Sequence, residues 1–95
     1  MSPLLIESDI QSAFASYLRK LRENENLSRA ALAARSTVPA ATIKKFELTG
    51  QISFRQLLLL WQSLDDLNRL YQLTQQATEH EKMPQSIEEV LKDGI

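Results

Sequence analysis

Apolar residues recur three and four positions apart through most of the chain, and polar capping residues divide them into short helices. Ile10, Phe14, Leu18 and Leu21 share one helical face, behind a start that Ser8 or Asp9 would cap. Asn24 to Asn26 should end this helix, since asparagine tolerates the left-handed conformation used at helix C-termini. Ser28 caps a second helix that opens on Arg29. Pro39 falls in the first turn of a third, where its missing N–H costs nothing. Leu48 to Ile52, with Thr49 and Gly50, reads as a loop. Ser53 then caps a fourth helix, Phe54 to Ser63, with Phe54, Leu57, Leu58, Trp61 and Leu64 facing inward. Asp65 and Asp66 open a fifth helix and suit its positive end, and Leu67, Leu70, Tyr71 and Thr74 form its apolar edge.

The two ends differ from this pattern. Residues 1–8 form an arm, with Leu4, Leu5 and Ile6 apolar but too few for a helix of their own. From Gln75 to Met83 the chain is polar and extends the fifth helix only in part. Pro84 interrupts, and Ser86 with Glu89 makes a capping box for a last short helix carrying Ile87, Val90 and Leu91. The organisation expected is a five-helix domain over residues 9–75 and a tail over 76–95 with a short helix. No stretch alternates with period two for long enough to be a strand, so the class is all-α.

The segment Leu27 to Glu47, LSRAALAARSTVPAATIKKFE, is the most specific signal. From Arg29 onward its apolar positions are Leu32, Ala33, Val38, Ile43 and Phe46, as two short helices crossing at a tight turn require. Ala33 lies where the second helix would cross the first, and a larger side chain would push the two apart. This is a helix-turn-helix pattern, whose second helix enters the major groove of DNA. Turning 100° per residue from the inward Ile43 and Phe46 leaves Ala41, Lys44 and Lys45 pointing outward, with Ala40 and Thr42 at the margins.

Charge sharpens that reading. The net charge of the 95-residue chain is only −1. Between Arg19 and Glu47, however, Arg19, Lys20, Arg22, Arg29, Arg35, Lys44 and Lys45 face only Glu23, Glu25 and Glu47, a local balance of +4. From Leu64 onward the balance is −4. One basic face on a near-neutral chain is an electrostatic footprint for nucleic acid. Other classes lose ground. There is no cysteine, hence no disulfide or thiolate metal site, and a reducing cytoplasm is the compartment expected. The longest apolar run, Leu57 to Trp61, is far short of the ~20 residues that span a bilayer, and nothing at the start reads as an export signal. The single histidine, His80, lies in the polar stretch and reads as a solvated residue rather than a catalytic one. Trp61 and Tyr71 read as core or dimer contacts rather than a base-stacking platform. No enzyme, metal or cofactor is expected.

The chain resembles the Cro and phage-repressor helix-turn-helix family, also called the xenobiotic-response-element family. The likeness runs from Phe14 to about Leu73 and is carried by LRKLRENENLS (Leu18 to Ser28), LAARSTVPAATIKKFE (Leu32 to Glu47) and ISFRQLLLLWQSLDDL (Ile52 to Leu67). The FELTGQIS segment and the two leucine-rich helices after it are similar to short HipB-like antitoxins found beside HipA-like kinase toxins. The resemblance implies that Arg22 pairs with Glu47 and pins the recognition helix. It implies a phosphate contact for Arg29, where the family often has glutamine. The DNA-facing set it implies is Arg29, Thr37, Ala40, Ala41, Thr42, Lys44 and Lys45. Either lysine could donate to guanine or hold a phosphate. Two departures stand out. Thr37 occupies a turn position that is usually glycine, so either the turn is strained or it takes another geometry. Ala40 and Ala41 leave few side chains able to read bases, which gives DNA shape or a flexible arm a larger part.

The function these features imply is an autoregulating dimeric repressor on palindromic double-stranded DNA, the antitoxin-like member of a toxin–antitoxin operon with a HipA-like kinase as partner. The alternatives are a stand-alone phage-type repressor, or a degenerate helix-turn-helix that serves as a protein-interaction module.

Overall fold

The computed structural model describes residues 4–82, and within them the protein is all-helical. Five helices appear among the described residues: α1 (Glu7–Asn24), α2 (Arg29–Ser36), α3 (Ala40–Thr49), α4 (Phe54–Leu64) and α5 (Leu67–Lys82). The segment up to Asp65 is one compact unit, and α5 belongs to a second. The last short helix expected around Ile87, Val90 and Leu91 lies outside the described residues.

In the first unit α1 and α2 each pack on both α3 and α4. The core between them consists of Ala15, Leu18, Leu32, Val38, Ile43, Phe46, Leu60 and Trp61. Leu32, Val38, Ile43 and Phe46 are the apolar positions of the helix-turn-helix pattern, and all four are closed from solvent. Ala33 is half-buried. Trp61 meets Phe14 edge-on at a centroid distance of 5.6 Å and Tyr17 at 5.4 Å, which ties α4 to α1 through aromatic contacts. The Tyr17 hydroxyl donates to Asp65 Oδ2 at 2.5 Å just beyond the end of α4.

The helix ends explain most of the boundaries. Ser28 Oγ accepts from the Ala31 amide at 3.0 Å, and Ser53 Oγ from the Gln56 amide at 3.2 Å, so both serines cap as their spacing predicts. Asn26 follows α1 with φ of 58°, the left-handed residue expected there. α1 begins two or three residues earlier than its polar residues suggest, at Glu7. Neither Ser8 nor Asp9 is its cap; the Asp9 carboxylate instead reaches back to the Ile6 amide at 3.0 Å. Pro39 is the residue before α3 rather than a member of its first turn. α3 continues through Thr49, shortening the loop expected from Leu48, and closes on Gly50 with φ of 78°. A Cβ at Gly50 would lie 3.0 Å from Gln11 Cβ and 3.1 Å from the Gln11 carbonyl carbon, so α1 and the end of α3 approach across a position that only glycine fits.

α4 differs from expectation on its inner face. Leu60 is buried, whereas Phe54 is 72% exposed. Phe54 is the first residue of its helix and extends the Leu57–Trp61 stripe past the edge of the core. There it joins Ile10, Phe14, Phe46, Ile52 and Leu57 around an apolar depression of about 220 Å³. Asp65 closes α4, its N–H bonding to the Trp61 carbonyl at 2.7 Å, and Asp66 alone caps α5, its Oδ1 accepting from the Asn68 amide at 2.9 Å. α5 runs on through the polar stretch to Lys82 instead of fading after Gln75, since that stretch lacks glycine and proline and offers good helix formers. No helix among the described residues is long and apolar enough to cross a membrane.

Candidate nucleic-acid interface

α2, the three-residue turn Thr37–Pro39 and α3 form the helix-turn-helix expected over Leu27 to Glu47. The turn is made without glycine. Thr37 adopts the left-handed conformation itself, with φ of 67° and ψ of 6°, and its N–H bonds to the Ala33 carbonyl at 2.9 Å. A β-branched residue there costs on the order of 1–2 kcal/mol. The turn is held from within by Ser36, a buried serine whose Oγ accepts from the Val38 amide at 3.1 Å. Val38 is thereby fixed in the core, and α3 can start immediately after Pro39.

The inner face of α3 is Ile43 and Phe46. Its outer face is Ala41, Lys44 and Lys45, all exposed, with Ala40 and Thr42 half-buried at the margins. Neither lysine enters an ion pair among the described residues. Beside Lys45 a cleft of about 490 Å³ opens between α3 and the start of α4, lined by Ala41, Thr42, Lys45, Gln51, Ile52, Ser53 and Gln56. Gln51 and Gln56 add the amide donors and acceptors that α3 itself lacks. They lie outside the helix-turn-helix pattern, and the available signal is a pair of glutamines two residues before and three after the Ser53 cap.

At the other end of α3 sits an ionic cluster. Glu47, its side chain 2% exposed, takes two hydrogen bonds from Arg22: Nε to Oε2 at 2.7 Å and Nη2 to Oε1 at 3.0 Å. This is the bidentate geometry that makes arginine–carboxylate pairs strong and directional. Arg22 Nη1 also donates to the Leu27 carbonyl at 2.7 Å, which fixes the link between α1 and α2. Arg29 joins in a way the sequence did not indicate, donating Nε to Glu47 Oε1 at 2.8 Å. The single carboxylate therefore gathers α1, the α1–α2 loop, the start of α2 and the end of α3. Burial pushes the Glu47 carboxyl upward, but the hydrogen bonds and charges of Arg22 and Arg29 outweigh it and hold the group below the usual carboxylate range. The bond to Glu47 raises the Arg22 guanidinium above its ordinary value despite desolvation.

The remaining basic residues of the segment are distributed around this frame. Arg19 pairs with Glu23 within α1, and Arg35 with Glu25 at 3.4 Å, both pairs being solvent-exposed and worth little energetically. Among the described residues no cluster of histidine, cysteine or carboxylate side chains has the makings of a metal site. Compared with protein-family models, curated proteins and solved structures, the chain matches none of them.

Proposed function

We propose that the protein is a sequence-specific DNA-binding repressor that works as a homodimer on palindromic duplex DNA. The observation that carries this reading is the outer face of α3. Lys44 and Lys45 project from a short helix whose opposite face is buried and whose end is clamped by Glu47. Two free ammonium groups on a fixed helix are suited to a polyanion, and the adjacent Gln51 and Gln56 to polar groups beside it. Twofold symmetry would supply the second half-site about 34–36 Å away. The test is a gel shift with the DNA upstream of the gene at two salt concentrations. Replacing Lys44 and Lys45 together with alanine should abolish operator binding while helicity and melting temperature stay nearly unchanged. A double variant that binds as well as the parent would sink the reading.

A second role is favoured by exposed apolar side chains. Leu4 is 97% exposed, and Leu5, Ile6, Leu48 and Phe54 also face solvent. Apolar surface of this kind suits a protein partner. With the resemblance to HipB-like antitoxins, it supports a toxin–antitoxin regulator whose partner is a HipA-like kinase. Co-purification from the native operon tests that part: if no neighbouring gene product comes with the protein, a stand-alone repressor remains.

A further inference from the structure

The two arginines on Glu47 are not used alike. Two guanidinium groups hydrogen-bond one carboxylate, while Glu23 acts on Arg22 through its charge alone. Arg22 is fully committed, with Nε and Nη2 on Glu47 and Nη1 on the Leu27 carbonyl, and its side chain is only 10% exposed. Arg29 is the more open of the two, its side chain 31% exposed. Arg29 commits Nε alone; its two terminal nitrogens make no hydrogen bond among the described residues, and the first turn of α2 carries no acid to balance it.

We infer that Glu47 is a positioning residue for Arg29, holding the guanidinium by Nε so that its outer edge meets a backbone phosphodiester. The inference rests on the duplex-binding reading above. A guanidinium is planar, so a bond at Nε fixes the direction in which both Nη groups point. Those two groups form a fork that matches two phosphate oxygens, as an ammonium does not. Holding a long side chain in place before the ligand arrives also removes an ordering cost from binding. The same carboxylate sits in the last turn of α3, so the phosphate contact and the seat of the recognition helix are joined through one group. Strand position and base reading are thereby kept in register.

Duplex binding by the parent, Arg29→Lys, Arg29→Gln and Glu47→Gln across a series of salt concentrations tests this. Arg29→Gln should lower the slope of log K against log salt by about one. A purely structural loss would weaken binding and leave that slope alone. Arg29→Lys should keep the slope yet bind about 5–10-fold more weakly at every salt concentration, because an ammonium cannot hold Glu47 and present a fork at once. Glu47→Gln should lose a similar factor, and adding Arg29→Lys to it should cost little more. Should Glu47→Gln fail to fold, Glu47→Asp, which keeps the charge but shortens the reach to Arg29, replaces it and should lose a similar factor; a folded Glu47 variant that binds as tightly as the parent overturns the inference. If Arg29→Lys binds as tightly as the parent, or Arg29→Gln leaves the slope unchanged, the inference is overturned while duplex binding stands. If the parent binds no duplex at all, the proposed function falls and this assignment with it.

Discussion

At the scale of single residues, the strain and the charge of this domain are concentrated at Thr37 and Glu47. Thr37 accepts a left-handed backbone that glycine or asparagine would adopt at less cost. Thr37→Asn and Thr37→Gly should each stabilise the protein by about 0.5–1 kcal/mol, the glycine variant losing part of its gain to unfolded-chain entropy. Thermal melts check this, with a rise of a few degrees expected. Glu47 works in the other direction. Because its folded pKa is depressed, its contribution is complete above the unfolded value of about 4.5 and is lost as pH falls through the folded value. The stability difference between parent and Glu47→Gln should therefore be constant at neutral pH and narrow below about pH 4.5. Arg22→Ala, which leaves Glu47 with Arg29 alone, should cost about 3 kcal/mol at pH 7, well above an exposed pair; a double-mutant cycle with coupling near zero would refute this. The Arg22–Glu47 pair was legible only through the family likeness, and the third member was not. Nothing in one-dimensional spacing says that a residue 18 positions away shares the same carboxylate oxygen.

At the scale of elements, periodicity is a good guide wherever the core closes one face of a helix. α2 and α3 are short, and each has one face closed by the core, so Leu32, Val38, Ile43 and Phe46 could hardly be placed otherwise. The side-chain caps at Ser28 and Ser53 were equally legible, because an oxygen bonding an amide three residues on is a local matter. Reading failed at the edges. Phe54 has the right spacing and the wrong position, since a stripe does not reveal where the neighbouring helix ends. The start of α1 was misplaced because Asp9 acts from inside the helix rather than from its cap. On α5, low hydrophobicity does not mean low helicity, because glutamine, glutamate and lysine favour helix without any apolar partner.

At the scale of the whole molecule, exposed apolar side chains suit self-association. Leu67, Tyr71 and Leu73 on α5, with Leu4, Leu5 and Ile6 at the start of the described chain, give two such groups. We expect a symmetric dimer whose contacts come chiefly from the fourth and fifth helices and the chain ends. Sedimentation at micromolar concentration should give twice the monomer mass, and Leu67→Glu with Tyr71→Glu should reduce it to one. A parent that sediments as a monomer and binds a single half-site would rule the dimer out.

The Arg22–Glu47 pair also has a meaning in time. Synthesis delivers α1 and α2 well before Glu47, 25 residues beyond Arg22, has been made. Until then, packing the inner face of α1 would bury a guanidinium with no carboxylate to receive it, at a cost of several kcal/mol. In the folded protein the first two helices pack on α3 and α4 rather than chiefly on each other. A chain interrupted before Glu47 therefore lacks both the carboxylate that receives Arg22 and the end of α3, a helix on which α1 and α2 both pack.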